Sequence, residues 1–197
     1  SPWTLIVYMF GLKKSKEFLN LKIILNKKNE INLVIKKLND FLKIHIKKQI
    51  DAGADVVQIF DSWAGLIPEE KLEDYCYKPN KELVDFVKKN NTPVICFPKG
   101  IKNNYLFFIK FVSPSCISID YDINPEWALN NFNGTCIQGG IDPKILLTDK
   151  NKIIKEAKKY LDIFKHYPYI FNLGHGMLPE TNPESVKILV EYVKGYK

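Results

Sequence analysis

The stretch Tyr169-Ile170-Phe171-Asn172-Leu173-Gly174-His175-Gly176 has the pattern of a short buried strand that ends at a histidine flanked by glycines. Glycine tolerates backbone conformations that other residues avoid, and it lets the backbone approach a ligand closely. In α/β folds the loops after the strands carry the chemistry. The stretch therefore predicts a strand of such a fold and a candidate functional residue, His175. A histidine at the end of a strand is structural about as often as it is functional, so the rest of the chain has to decide which of the two applies to His175.

Further short apolar runs precede this strand, and helical patterns separate them. The predicted strands cover residues 55–60, 93–97, 115–121, 135–138 and 169–173. Each run is nearly continuous and does not alternate between apolar and polar residues, which is typical of strands buried on both faces of a parallel sheet.

The clearest helix is predicted at residues 30–51, where apolar residues recur at spacings of three and four and Ala52-Gly53 follows as an end signal. Further helices are predicted at 68–77, 81–89, 101–112, 125–131, 149–164 and 183–193. Residues 1–9 are interpreted as the end of a strand that runs into a loop, and residues 13–28 carry short helical signals.

Strand and helix alternate five times without a glycine-rich dinucleotide turn or a P-loop, which favours a (β/α)8 TIM barrel over a nucleotide-binding open sheet. Such a barrel typically needs about 250 residues. We therefore expect an incomplete barrel that lacks its first two to three β/α units, with residues 1–197 as the C-terminal part of one barrel domain. The chain begins at Ser1 without a basic leader, which we interpret as the edge of a longer polypeptide.

The composition is that of a folded protein, with 46% apolar and 26% charged residues and no apolar run near the ~20 residues of a membrane span. All 29 basic residues are lysine, and the net charge is +7. The lysines fall mainly in helical segments such as 152–159 without interleaved aromatic residues, so we expect solvated helix faces and no nucleic-acid partner. The charge favours an anionic small molecule.

The four cysteines stand at positions 76, 96, 116 and 136, with no Cys-x-x-Cys pair and no histidine at ligand spacing. This pattern argues against a zinc site. Three of the cysteines fall inside apolar runs, where a reduced thiol behaves as a small apolar group. A reducing, cytoplasmic location is predicted.

A set of residues, most of them polar, follows the predicted strands, where a barrel places its active site. They are Tyr8, Met9, Asp61, Ser62, Trp63, Lys99, Asp120, Asp122, Gln138, Gly139, Gly140, Asp142, Asn172 and His175. The set has many hydrogen-bond donors, but it contains no thiolate metal site and no Ser-His-acid order.

Four motifs resemble the uroporphyrinogen decarboxylase family in order and spacing over the whole chain, which would correspond to the C-terminal three-fifths of that enzyme. They are Ser1-Pro2-Trp3-Thr4-Leu5 with Tyr8-Met9, Gln58-Ile59-Phe60-Asp61-Ser62-Trp63-Ala64-Gly65, Gln138-Gly139-Gly140-Ile141-Asp142-Pro143 and Phe171-Asn172-Leu173-Gly174-His175-Gly176.

The resemblance implies a cytoplasmic, usually homodimeric barrel enzyme of haem biosynthesis. The family removes CO2 from the four acetate side chains of uroporphyrinogen III, giving coproporphyrinogen III, without metal or organic cofactor. Tyr8 resembles the family's active-site tyrosine, Ser62 its carboxylate-contacting Ser/Thr, and His175 its substrate-contacting histidine. The family's catalytic aspartate and carboxylate-binding arginine pair belong to the first strands, so no catalytic residue is assigned here.

The sequence departs from the family at Gly140, where asparagine is usual, and at Pro98, where alanine is usual. The first change is expected to loosen its loop. Alternative readings of the residues stay open: Tyr8 as a rim residue, Ser62 as a turn cap, and Asp120 with Asp122 as substitute carboxylates. Alternative functions are a zinc- or cobalamin-dependent methyltransferase with the same barrel, or an inactive truncated chain.

Overall fold

Helices and strands alternate along the chain, and the computed structural model describes residues 1–11 and 26–196. The α-helices are α1 (Pro2–Met9), α2 (Lys28–Asp51), α3 (Lys78–Lys89), α4 (Tyr105–Val112), α5 (Pro125–Asn131), α6 (Lys150–Ile163) and α7 (Pro183–Gly195). The strands are β1 (Val57–Asp61), β2 (Val94–Pro98), β3 (Cys116–Ile119), β4 (Cys136–Gly139) and β5 (Tyr169–Ile170). Short 3-10 helices span Ala64–Leu66, Glu69–Lys71, Lys102–Asn104 and Pro143–Leu147, and a π-helix spans Glu73–Tyr77.

The strands follow one another in the order of the chain, β1-β2-β3-β4-β5. Strands β1 and β2 are parallel, with Val57 opposite Val94 and Asp61 opposite Pro98. Strands β4 and β5 are also parallel, with Ile137 opposite Tyr169. The predicted parallel α/β organisation is confirmed. The chain divides into two units, Ser1–Cys116 and Ile117–Lys197.

Burial on both faces is confirmed for β2 and β3, in which every residue is buried. The prediction was wrong for β1, where Phe60 is 53% exposed, and for β5, where Ile170 is 41% exposed. These two strands stand at the ends of the strand order, where fewer neighbouring elements cover their side chains.

The interpretation of residues 1–9 as a strand end was wrong, because Pro2–Met9 is an α-helix. The Ser1 hydroxyl accepts a hydrogen bond from the Thr4 backbone N–H at 3.3 Å, and Pro2 occupies the first helical turn. Both are typical helix-start features. Trp3, Ile6 and Val7 are fully buried, so the apolar run Leu5-Ile6-Val7 belongs to a helix that is packed into unit 1.

The long amphipathic helix is confirmed as α2, which ends before Gly53 at a positive φ of 96°. Ile31, Ile35 and Ile46 are buried on its packed face. Asn39 is buried among them, where its side-chain amide donates to Glu82 at 2.7 Å. The prediction for residues 13–28 falls largely outside the described residues.

Unit 2 has its own apolar core between α6, α7 and the segment before α6. Leu146, Ile153, Ala157 and Leu189 are buried together. Burial of each large apolar side chain contributes about 1.5–3 kcal/mol to the free energy of unfolding.

Candidate functional site

The Asp61 carboxylate, at the end of β1, is buried inside unit 1 and fully engaged there. Its Oδ1 accepts a hydrogen bond from the Thr4 hydroxyl at 3.0 Å, and its Oδ2 accepts one from the Asn80 amide at 2.9 Å. A buried carboxylate with donors on both oxygens is satisfied within the protein. Asp61 stood among the strand-end candidates, and the structure assigns it to holding α1, β1 and α3 together.

Ser62, the next residue, is half-buried, and its hydroxyl forms no hydrogen bond with another described residue. Its neighbour Trp63 is fixed from two directions. The Trp63 carbonyl accepts from the Trp3 indole N–H at 3.0 Å, and the Trp63 ring meets the Tyr8 ring edge-on with centroids 6.5 Å apart. The hydroxyl of Ser62 therefore sits on a well-held loop.

Tyr8 lies in the last turn of α1 and is 49% exposed. The sequence placed it in a loop after a strand, and its helical position corrects that. The edge-on contact with Trp63 nevertheless brings Tyr8 next to the residue that follows Ser62. Tyr8 and Ser62, two of the three predicted substrate-binding residues, therefore both lie next to Trp63 in unit 1. Tyr8 carries a phenolic hydroxyl and Ser62 an aliphatic one.

The loops after β1 and β2 meet through their backbones. Lys99 N–H donates to the Asp61 carbonyl at 3.1 Å, and Gly65 N–H donates to the Lys99 carbonyl at 2.9 Å. A Cβ atom on Gly65 would lie 2.9 Å from the Gly100 carbonyl oxygen, so this approach requires glycine. The loop that carries Ser62 is consequently anchored at both ends.

In unit 2 the chain after β5 is held against the end of β3. Gly174 N–H donates to the Ile141 carbonyl at 2.7 Å. A Cβ atom at Gly174 would lie only 2.5 Å from the Tyr121 backbone nitrogen. The glycines were expected to let the backbone approach a ligand, but the close approach at Gly174 is made to protein backbone.

His175 follows directly and is exposed. Its Nδ1 accepts a hydrogen bond from the Gly176 backbone N–H at 2.6 Å, so the neutral ring carries its proton on Nε2. A side chain added at Gly176 would meet open space, because no atom lies within 4 Å of a Cβ atom at that position. The His175 ring is therefore exposed next to a backbone that is held at Gly174.

The polar residues at the ends of β3 and β4 are engaged inside unit 2. Asp120 is buried and its Oδ1 accepts from the Asp122 backbone N–H at 3.1 Å. Gln138 is buried and donates to the Ser118 hydroxyl at 3.3 Å. Asp142 caps the following 3-10 helix through the Lys144 backbone N–H at 2.9 Å. These contacts give all three side chains local structural roles.

The Gly139-Gly140 turn has positive φ angles of 84° and 103°. The Tyr169 hydroxyl donates to the Gly139 carbonyl at 2.9 Å, and the Tyr160 hydroxyl donates to the Gly140 carbonyl at 2.7 Å. Burial raises the pKa of Tyr160 to about 12, with Glu156 and Asp142 adding to the effect. Two tyrosine hydroxyls hold this turn, and the effect of glycine in place of asparagine at position 140 stays a prediction.

The four cysteines are free thiols, and three are buried. Burial raises the pKa of Cys76 well above its usual value, and the nearby Asp61 carboxylate adds to the rise. Within residues 1–11 and 26–196, no group of three or more His, Cys, Asp or Glu side chains is arranged to hold a metal ion. In the same part of the chain, no helix has the length and apolar character to cross a membrane.

The sequence matches the family model described as uroporphyrinogen decarboxylase (URO-D) over residues 1–196. The chain belongs to the uroporphyrinogen decarboxylase family. The Cereibacter sphaeroides (strain ATCC 17025 / ATH 2.4.3) uroporphyrinogen decarboxylase is 32% identical to it over 98% of this chain and 58% of that protein.

Two further uroporphyrinogen decarboxylases are similar to this chain. The Wolbachia pipientis wMel protein is 37% identical over 99% of this chain and 57% of its own length. The Rickettsia felis protein is 38% identical over 100% of this chain and 58% of its own length. The chain therefore spans somewhat less than three-fifths of the curated relatives of the uroporphyrinogen decarboxylase family that it matches.

Family membership confirms the resemblance carried by the four sequence motifs. Sequence reasoning did not find that Thr4 and Asn80 bind Asp61, since these residues lie 57 and 19 positions away along the chain. The Ser-Pro start of α1 was a usable signal, because it places a cap and a first-turn proline before an apolar run.

Proposed function

We propose that this chain supplies the substrate-contacting C-terminal part of a uroporphyrinogen decarboxylase. The reaction would remove CO2 from the four acetate side chains of uroporphyrinogen III and give coproporphyrinogen III, as a carbon–carbon lyase step of haem biosynthesis. The observation that carries the proposal is the family match over residues 1–196.

Decarboxylation of an acetate on a pyrrole requires an acceptor for the electron pair of the broken C–C bond. A protonated pyrrole ring accepts that pair, a proton then takes the place of the CO2 on the side chain, and the ring releases its added proton to become aromatic again. The protein has to hold the anionic macrocycle and stabilise the positive charge that develops on the ring. We assign the charge stabilisation to the family's aspartate, which has no counterpart in this chain.

Tyr8, Ser62 and His175 are proposed to donate hydrogen bonds to the substrate's acetate and propionate carboxylates. The exposure of Tyr8 and of His175 and the Ser62 hydroxyl without a described hydrogen-bond partner support these roles. A hydrogen bond to a charged carboxylate stabilises a complex by about 1.5–3 kcal/mol. Arginine is absent from the chain, so a carboxylate contact from this chain uses lysine, histidine or an uncharged donor such as the tyrosine and serine hydroxyls.

The other parts of the expectation stay predictions. They are the assignment of residues 1–197 to a single barrel domain, homodimer formation in the complete enzyme, and a cytoplasmic location. Long-range attraction by the net charge of +7 fits an anionic substrate.

The test is a chimera in which this chain replaces the matched region of the Wolbachia pipientis wMel relative. The chimera is incubated with uroporphyrinogen III under reducing conditions, and the products are separated by the number of carboxylates. Accumulation of coproporphyrinogen III at a rate proportional to enzyme supports the proposal. A folded chimera that leaves the substrate unchanged contradicts it, and methyl transfer from a cobalamin or thiol donor would favour the methyltransferase alternative.

A further inference from the structure

Three side-chain contacts join helix α1 to the loop that follows strand β1. The Thr4 hydroxyl donates a hydrogen bond to Oδ1 of Asp61 at 3.0 Å, and both side chains are buried. The Trp3 indole N–H donates to the Trp63 carbonyl at 3.0 Å, and the rings of Tyr8 and Trp63 meet edge-on. Helix α1 is therefore attached to the residues on both sides of position 62.

The first of these contacts links the two elements that carry the proposed hydroxyl donors Tyr8 and Ser62. Thr4 and Tyr8 are four residues apart in one helix, and residues at this spacing lie on the same face of a helix. Asp61 directly precedes Ser62 in the chain. One hydrogen bond therefore joins the helical turn before Tyr8 to the residue before Ser62.

The loop and the helix are held in different ways. The loop has backbone anchors of its own, since the Lys99 N–H donates to the Asp61 carbonyl at 3.1 Å and the Gly65 N–H donates to the Lys99 carbonyl at 2.9 Å. Helix α1 has eight residues, too few for a helix to be stable by itself, so tertiary contacts determine its position. Loss of the hydrogen bond between the two elements should therefore displace the helix more than the loop.

Apolar burial alone does not fix the register of α1. Trp3, Ile6 and Val7 are fully buried and hold the helix against the core of unit 1, but the hydrophobic effect has no preferred direction. A hydrogen bond requires a defined distance and angle, and a bond to a carboxylate is roughly twice as strong as a bond between neutral groups. The hydrogen bond from Thr4 to Asp61 therefore restricts the rotation of α1 and its movement along its own axis.

We propose that Thr4 is a positioning residue, whose hydrogen bond to Asp61 fixes the place of the Tyr8 hydroxyl relative to the Ser62 hydroxyl. Two donors held at a fixed separation can bind two carboxylates of one macrocycle with less loss of conformational freedom. Thr4 is 9% exposed and Asp61 is 1% exposed, so their effect on the substrate is indirect. The inference rests on the proposed function and gives Thr4 a role in the affinity for a tetrapyrrole with many carboxylates.

The experiment uses the chimera with the Wolbachia pipientis wMel relative and compares Thr4→Val, Thr4→Ser, Tyr8→Phe and the double variant. Two properties are measured: KM and kcat for uroporphyrinogen III, and the Kd of uroporphyrin III, the oxidised ring with the same acetate and propionate side chains, by fluorescence titration. Thr4→Val is expected to raise KM and Kd about five- to tenfold and to change kcat less than about twofold. Thr4→Ser keeps the hydroxyl and should change KM and Kd less than about twofold.

A double-mutant cycle separates positioning from a general loss of stability. Tyr8→Phe removes the hydroxyl that Thr4 is proposed to place, so the addition of Thr4→Val to Tyr8→Phe should change Kd less than about twofold further. Val87→Ala is the control, because Val87 is fully buried in α3 and its truncation destabilises unit 1 without removing a donor to Asp61. Urea titration compares the stability of the variants, and Val87→Ala should leave KM and Kd within about twofold of the unmodified chimera.

Effects of Thr4→Val and Tyr8→Phe on Kd that multiply in the double variant would overturn the proposal, and so would an equal rise in Kd for Val87→Ala or for Thr4→Ser. If the chimera decarboxylates uroporphyrinogen III in that case, the proposed function stands without the positioning role. A chimera that binds uroporphyrin III with the expected mutational pattern but does not decarboxylate uroporphyrinogen III supports the positioning role and counts against the proposed function alone. A folded chimera that neither binds uroporphyrin III nor decarboxylates uroporphyrinogen III would overturn both.

Discussion

The Thr4 hydroxyl donates a hydrogen bond to Oδ1 of Asp61 over 3.0 Å and joins helix α1 to the end of strand β1. The Asn80 amide binds Oδ2 of the same buried carboxylate at 2.9 Å. The loop that carries Ser62 begins at this carboxylate. The stability of the loop therefore depends on contacts made by side chains that have no direct role with substrate.

Replacement of Thr4 by valine should destabilise unit 1, because the buried Asp61 oxygen loses its donor while the side-chain volume is nearly kept. A loss of about 1–3 kcal/mol in the free energy of unfolding is expected from urea titration. Thr181→Val is the matched control, since the Thr181 hydroxyl is buried and has no hydrogen-bond partner among the described residues. Equal losses in the two variants would contradict the assigned role of Thr4.

Gly174→Ala should disturb the segment after β5, because the new Cβ atom would lie 2.5 Å from the Tyr121 backbone nitrogen. Overpacking of this kind typically costs about 1–3 kcal/mol. Gly176→Ala meets no atom within 4 Å and should change the free energy of unfolding by less than about 0.5 kcal/mol. Thermal unfolding of both variants measures the difference, and similar midpoints would count against the close packing at Gly174.

The tyrosine hydroxyls that bind the Gly139-Gly140 turn should make the free energy of unfolding decrease at alkaline pH. Burial raises the pKa of Tyr160 from its usual 10 to about 12, so the folded state holds this proton more tightly than the unfolded state. The contribution of Tyr160 to the free energy of unfolding is fully present below pH 10 and is lost as the pH rises from about 10 to 12. Tyr169 acts in the same direction, because burial also raises its pKa.

Urea titrations of the wild type and Tyr160→Phe between pH 8 and pH 11 separate this effect from the titration of the lysines. Tyr160→Phe should be less stable at pH 8, since the Gly140 carbonyl loses its donor, and its stability should fall less steeply above pH 10. Parallel curves for the two proteins would show that Tyr160 does not carry the pH dependence.

The cysteines should differ in reactivity toward iodoacetamide at pH 8. Burial raises the pKa values of Cys76 and Cys96, and a buried protonated thiol is a poor nucleophile. Cys136 is half-buried and should be alkylated first. Peptide mass spectrometry after a short exposure measures the order, with Cys136→Ser as the control that removes the fast site. Early labelling of Cys76 would contradict the packing around Asp61.

Local patterns were sufficient to predict much of the fold. The apolar spacing of α2 and the continuous apolar runs of β2 and β3 are properties of neighbouring residues, and the structure confirms them. Helix α1 was missed because Leu5-Ile6-Val7 resembles a strand when the Ser1 cap and the burial of Trp3 are not considered.

The site was predictable only in part, because its contacts are long-range. Asp61 follows a strand and has the sequence features of a site residue, but its partners Thr4 and Asn80 come from other helices. Likewise, the hydroxyl of Tyr160 binds the Gly140 carbonyl, which lies twenty positions away along the chain. Sequence spacing carries no information about either pairing.

The most direct test of the account compares His175→Ala with His166→Ala in the chimera with the Wolbachia relative, using uroporphyrinogen III decarboxylation as the readout. Both histidines are exposed in unit 2, so the two substitutions are chemically matched. Loss of an imidazole donor to a substrate carboxylate should lower kcat/KM roughly 10- to 100-fold for His175→Ala, with His166→Ala unchanged. Wild-type kcat/KM in a folded His175→Ala chimera would contradict the proposed role of the site.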